Sequence, residues 1–133
     1  MKETNFSELI GQTIIKISGC EVESNEIVFE TKDCVYKMYH IQDCCEEVYV
    51  EDVIGDINDL IGTPIIIASE DTNKENPSDI NVSLMEEQES FLWTFYNIAT
   101  LKGHVTIRWY GSSNGYYSES VILKKLVKNN KKF

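Results

Sequence analysis

Arginine is almost missing from this chain: Arg108 is the only one among 133 residues. Histidine occurs twice, and no paired nucleophile motif accompanies it, so triad chemistry has no support. The sequence contains no P-loop, no G-x-G-x-x-G and no H-E-x-x-H. These absences remove the commonest phosphate-cradling, dinucleotide and zinc-protease readings. No apolar run approaches the ~18 residues of a membrane-spanning helix. The stretch Met1 to Ile10, MKETNFSELI, has no apolar signal-peptide core.

Positive charge is scarce as a whole. Twelve basic residues face 22 acidic ones, for a formal charge of −10. Lys124, Lys125, Lys128, Lys131 and Lys132 crowd the last ten residues, so the body before them is more acidic than the total implies. Such a surface repels phosphate backbones and anionic lipid, so neither duplex nucleic acid nor a membrane is an expected partner. Four cysteines are present, Cys20, Cys34, Cys44 and Cys45, without the paired C-x-x-C spacing of zinc sites. A disulfide between Cys44 and Cys45 is expected to be strained, because neighbours on a strand leave it on opposite faces. Reduced thiols in a cytoplasmic setting, with no cofactor and no metal, are the expectation.

What is present points to a packed β domain. The hydrophobic fraction is 42% and the aromatic fraction 11%, enough for one core. The expected organisation is one domain over 1–123 and a basic tail over 124–133. The fold class read from periodicity is mostly β (α+β), an antiparallel sheet or meander with one or two short helices. A short helix is expected over Phe6 to Ile10, ended by Gly11. Strands are expected over Thr13 to Ser18, Glu26 to Thr31, Cys34 to Tyr39 and Glu47 to Val53. One helical turn is expected over Asp56 to Ile61, with Asp56 as its N-cap and Gly62 just after its end. The apolar run Pro64 to Ala68 reads as a strand buried on both faces, and Ser69 to Gln88 as a long loop. Ser90 to Thr100 and His104 to Tyr110 follow as aromatic-rich strands. An Asn114-Gly115 turn then leads to a strand over Tyr116 to Leu123.

The chemistry concentrates around that hairpin. Alternation puts Val105, Ile107 and Trp109 on one side of their strand, a core face. His104, Thr106, Arg108 and Tyr110 lie on the other. The preceding strand sets Phe91, Trp93, Phe95 and Asn97 on one side and Leu92, Thr94, Tyr96 and Ile98 on the other. Register alone decides which side meets Arg108. Flat rings stack on purines, an arginine holds phosphate, and amide and hydroxyl groups pair with base edges. Arg108, Tyr110, Thr106, Asn97, Ser112, Asn114, Tyr116 and Tyr117 supply these types, with His40 as a further candidate at a strand end. The plainer account is that Arg108 pairs with one of the many carboxylates and the aromatics fill a core. Two other clusters hold chemistry-bearing residue types. His40, Gln42, Asp43, Cys44, Cys45 and Glu46 contain metal-ligating types, but three are consecutive and converge poorly on one ion. Glu51, Asp52, Asp56 and Asp59 do not match a calcium loop and fit a solvated acidic edge that blocks strand pairing.

Two long strings, YKMYHIQDCCEEVYVEDVIGDINDLIGTPIII from Tyr36 to Ile67 and FLWTFYNIATLKGHVTIRWYGSSNGYYSESV from Phe91 to Val121, resemble a widespread family of phage and prophage proteins. The motifs D-C-C-E, V-E-D-V-x-G-D, D-L-I-G-x-P-I, T-I-R-W-Y-G and S-N-G-Y-Y-S-E-S-V carry the resemblance. It implies a relation to phage sponge proteins, which capture CBASS cyclic oligonucleotides or Thoeris cyclic ADP-ribose isomers. Such proteins bind without cleaving, as oligomers with shared pockets. The resemblance therefore implies a non-enzymatic protein of the bacterial host cytoplasm, a cyclic-nucleotide ligand and a homo-oligomer. The alternative expectation is a small phage accessory protein whose aromatic hairpin is an oligomer or partner interface. A third is metal-assisted nucleotide hydrolysis by the acidic and His40 cluster. The candidate residues named above come from the hairpin chemistry.

Overall fold

The computed structural model describes residues 2–75 and 90–128. They form nine strands: β1 (Lys2–Thr4), β2 (Ile14–Ser18), β3 (Glu26–Thr31), β4 (Cys34–Tyr39), β5 (Glu47–Ile54), β6 (Ile67–Asn73), β7 (Ser90–Thr100), β8 (Gly103–Ser113) and β9 (Ile122–Val127). Two single turns of 3₁₀ helix, Phe6–Leu9 and Ile57–Leu60, complete the described elements. Every strand pair is antiparallel. One sheet has the order β1-β9-β4-β3-β2 and the other β5-β8-β7-β6. The fold is mostly β, as the periodicity implies, and β2-β3-β4 is the expected meander.

The alternation of side chains builds a core shared by the two sheets. Ile27, Phe29, Tyr36 and Met38 turn inward from the first sheet; Val48, Val50, Tyr96, Ile98, Val105, Ile107 and Trp109 do so from the second. Phe6, Leu9 and Leu60 from the two helical turns join the same cluster. Fully burying one such side chain contributes about 1.5–3 kcal/mol, so this cluster is what holds the sheets together. Asp56 caps the second turn as expected, its carboxylate accepting from the Asn58 N–H at 2.9 Å.

Two connections pass from sheet to sheet at one end, residues 40–46 between β4 and β5 and residues 114–121 between β8 and β9. The turn between β2 and β3 docks beside them: the Glu23 N–H donates to the Val50 carbonyl at 2.7 Å. At the opposite end Ile14 bridges Ile61 in parallel, with the Gly62 N–H donating to the Ile14 carbonyl.

Several expectations change. The first helix is one turn that stops at Leu9. The run Pro64 to Ala68 is not a strand buried on both faces: β6 begins at Ile67 and lies at the sheet edge, so Ile65 is buried while Ile66 and Ile67 stay about half exposed. Ser69 to Asn73 continue β6 and are not loop; 76–89 of the expected loop lie outside the described residues. Tyr116 to Val121 form a connection, and the last strand starts at Ile122. Lys124 to Val127, expected in the tail, pair with both β4 and β1, because Leu123 must be carried into the core. Residues 129–133 lie outside the described ones.

Candidate functional site

The two sheets treat their outer faces differently. On the first sheet, β3 and β4 alternate between buried and part-exposed positions, and the outer side chains form ion pairs such as Lys37 with Glu26 and Lys128 with Glu30. That is an ordinary solvent face. On the second, Arg108, Trp109, Tyr110 and Gly111 are buried in succession, so β8 is enclosed on both sides. Trp93 is 0% exposed and Tyr110 4%, yet neither belongs to the core between the sheets.

Register explains how they meet. Asn97 pairs with Thr106, Phe95 with Arg108 and Trp93 with Tyr110. Cross-strand partners share a face, so Phe91, Trp93, Phe95 and Asn97 join Thr106, Arg108, Tyr110 and Ser112 on the side away from the core. Strand β5 adds Tyr49 opposite Tyr110. The rings form a connected series. Tyr110 lies 4.7 Å from Trp93, 5.8 Å from Tyr49 and 6.4 Å from Phe91, centroid to centroid. The Arg108 guanidinium sits over the Trp93 ring at 5.4 Å. Burial, with Tyr49 beside it, pushes the Tyr110 phenol up to about 12, against a weaker opposing hydrogen bond from Ser112. Tyr110 is therefore a neutral donor at any physiological pH.

Arg108 is held by carboxylates on the neighbouring strand. Its Nε donates to Glu51 Oε1 at 2.7 Å, and its Nη2 lies 3.8 Å from Asp52 Oδ2. A β-bulge makes this possible. Val50 pairs with Trp109 and Asp52 with Arg108, so Glu51 is the extra residue. Two adjacent acids thereby oppose one arginine. Trp93 and Arg108 have further partners besides these. Below them on the same face, the Thr106 hydroxyl donates to Asn97 Oδ1 at 2.9 Å.

Of the nine candidate residues, Asn97, Thr106, Arg108, Tyr110 and Ser112 share this face. Asn114, Tyr116, Tyr117 and His40 do not. They lie at the sandwich end where the chain crosses between sheets. Asn114 Oδ1 accepts from the Tyr116 N–H at 3.0 Å, with Gly115 at φ +90° in the Asn-Gly turn. Tyr116 is 84% exposed and packs edge-on to Tyr117 at 5.0 Å. His40 is clamped between the two crossing segments. Its Nδ1 meets the Ser120 carbonyl at 2.6 Å and its Nε2 meets Glu46 Oε2 at 2.8 Å. Both partners are acceptors, so the full clamp uses both ring N–H groups. Glu46 also accepts from the backbone N–H groups of Asp43 and Cys44. Its burial would raise the carboxyl, but the bonds from His40, Asp43 and Cys44 outweigh it and hold the group at about 2.

Tyr49 and the Glu51–Asp52 pair belong to the site but were not among the candidates. The alternation in EVYVEDV already set Tyr49 and Glu51 on one side, which was the available signal. The bulge that adds Asp52 leaves no mark in the sequence. Beside Tyr49 an open cavity of about 490 Å³ is lined by Glu23, Asn25, Gln42, Glu46, Glu47 and Val48. Its carboxylates make it unsuited to a phosphate. Among the described residues no group of three or more metal-ligating side chains converges, so the acidic and His40 clusters form no metal centre there. No helix among them is long and apolar enough to cross a membrane.

The fold defines a two-sheet antiparallel β domain with one enclosed aromatic outer face. Residues 7–123 match the domain-of-unknown-function family DUF7448, and the chain belongs to that family. No curated protein and no solved structure gives a significant match.

Proposed function

We propose that this protein works by holding another molecule intact, on the outer face of its four-stranded sheet. The observation that carries this is the row of part-exposed side chains Tyr49, Phe91, Phe95, Asn97 and Thr106 on one face, backed by the buried Trp93, Arg108 and Tyr110. Such a surface offers flat stacking partners, each worth about 1–3 kcal/mol per base, together with amide and hydroxyl groups that match base edges. A cyclic nucleotide or cyclic ADP-ribose-type signal of the bacterial cytoplasm is the ligand class that combines these needs. With one arginine per chain, and that arginine shared with Glu51 and Asp52, several phosphates call for a homo-oligomer in which protomers pool their sites.

Calorimetry against cyclic di- and trinucleotides and cyclic ADP-ribose isomers tests the reading. Micromolar or tighter binding is expected, weakened at least tenfold by Asn97→Ala and Thr106→Ala. The ligand should be recovered uncleaved after denaturation. Absence of binding by well-folded protein overturns it, and cleaved ligand replaces it with an enzymatic one.

A second reading has its own observation. Because Glu51 and Asp52 offset the charge of Arg108, the face presents rings more than net charge, which also suits a protein partner or a second copy of the chain. Under that reading light scattering shows an assembly that Phe91→Ala dissociates, with no small molecule bound.

A further inference from the structure

The D-C-C-E motif takes no part in the enclosed face, yet the fold gives it a definite geometry. Cys44 and Cys45 do not lie on a strand. They occupy a bend between β4 and β5, and this removes the expectation that their side chains diverge. Both are exposed, and their sulfurs lie 3.1 Å apart. Cys20 and Cys34 are buried. Burial, with Glu21 nearby, pushes the Cys20 thiol up to about 11. An oxidant must reach a thiol to react with it, and of the four only the adjacent pair is exposed.

We propose that Cys44 and Cys45 are a dithiol oxidation site that closes to a vicinal disulfide. The oxidant is a low-molecular-weight disulfide. One protein thiol gives its proton to solvent and its sulfur attacks the oxidant. A mixed disulfide forms, the oxidant's S–S bond breaks, and the departing thiolate takes up a proton. The neighbouring thiol, after losing its own proton, attacks the protein-side sulfur. The Cys44–Cys45 bond forms and a second small thiol leaves. Two protein thiols are oxidised and one small disulfide is reduced to two thiols.

Adjacency makes the product labile. Neighbouring Cα atoms are about 3.8 Å apart across a trans peptide, shorter than the ~4.4–6.8 Å range of relaxed disulfides. Such bonds are the easily reduced ones, suited to switching and not to stapling. The site is also wired into the sheet crossing. The Cys44 N–H donates to Glu46 Oε1 at 2.8 Å and the Asp43 N–H to Glu46 Oε2 at 2.9 Å, while Gln42 Nε2 donates to the Cys44 carbonyl at 3.1 Å. Closing the ring has to turn the peptide between the cysteines and so competes with these bonds. The redox state of the pair thereby acts on the His40–Glu46 clamp and on the loop carrying Tyr117, whose phenol faces Cys44.

The full chain is equilibrated in glutathione buffers of rising oxidised fraction, quenched with iodoacetamide, and read by intact mass and peptide mapping. The expected result is an internal Cys44–Cys45 disulfide, reversed by reductant and absent from Cys44→Ser and Cys45→Ser. Glutathione adducts alone, or four alkylated thiols at every buffer ratio, overturn the proposal. Phenylarsine oxide, which bridges two thiols, is expected to bind once per chain and to lose that binding in either serine variant. Failure of the wild type to bind it overturns the convergence of the sulfurs. Glu46→Gln frees the peptide, so half-oxidation is expected at a several-fold lower oxidant ratio. An unchanged ratio overturns the link to the clamp.

Discussion

Arg108 shows how one residue's role depends on its neighbours. Its side chain is 7% exposed, with Glu51 at 24% and Asp52 at 40%. Removing one partner of a buried pair is costly, about 3–5 kcal/mol when both are fully desolvated. Glu51 retains some water, so Arg108→Met is expected to cost about 3 kcal/mol or somewhat less. The double variant Arg108→Met, Glu51→Gln should recover part of that loss, measured as urea midpoints in a double-mutant cycle. Glu46 supplies a pH signature. Its carboxyl lies at about 2 in the folded chain, against about 4.3 for an unperturbed glutamate. The folded value is the lower one, so the unfolded chain takes up this proton first as the pH falls. The contribution of the ionised Glu46 carboxylate is thus fully present above about pH 4.3 and is lost as the pH falls toward 2. Urea unfolding across that window should show a steep acid loss in the wild type and a shallower one in Glu46→Gln. His40, Asp43 and Cys44 are the groups facing the carboxylate.

At the scale of elements, the crossing between β8 and β9 is positioned by a close approach. A Cβ on Gly111 would stand 2.7 Å from the Glu119 carbonyl oxygen and 3.2 Å from Val48 Cγ2. The backbone of 114–121 therefore lies against β8 only because residue 111 has no side chain. Glu119 secures the same segment by accepting from Ser113 at 2.9 Å and Ser90 at 3.2 Å. Gly111→Ala is expected to destabilise by about 1–3 kcal/mol, the usual cost of overpacking. Thermal melting checks this, and Glu119→Gln, which keeps the shape, should cost less. The strand logic was legible here only in part. Glu26 to Thr31 and Cys34 to Tyr39 alternate cleanly because one face is core and the other solvent. Strand β8 is enclosed on both faces, so its pattern mixes core, aromatic and charged residues.

For the whole molecule, β9 decides whether the first sheet closes. It lies between β1 and β4 and carries Leu123 into the core. A chain ending at Leu123 loses the pairs of Lys124 with Glu3 and Lys37, of Lys125 with Lys2 and Tyr36, and of Leu126 with Val35. That truncation is expected to abolish cooperative unfolding and the near-ultraviolet dichroism of the packed tryptophans. A truncated chain that melts cooperatively near the wild-type temperature would contradict this. The basic run that composition marks as a tail is thus partly a central strand. Lys124 and Lys125 are consecutive and take opposite faces of the strand; Lys125 shares the face of Leu123 and reaches Glu8 at 3.6 Å with its Nζ.

What the amino-acid order determined by itself was local. The local pattern named β2, β3, β4, β5, β7 and β8, Asp56 announced its cap, and Val105, Ile107 and Trp109 were readable as a core face because a strand repeats every two residues. The tertiary structure alone decided what depends on distant pairing. Register put Trp93 over Arg108, a bulge brought Glu51 and Asp52 to the same guanidinium, and the sheet crossing drew His40 to Ser120 across eighty positions. Those contacts join segments far apart in the chain, and no short-range pattern encodes the register that unites them.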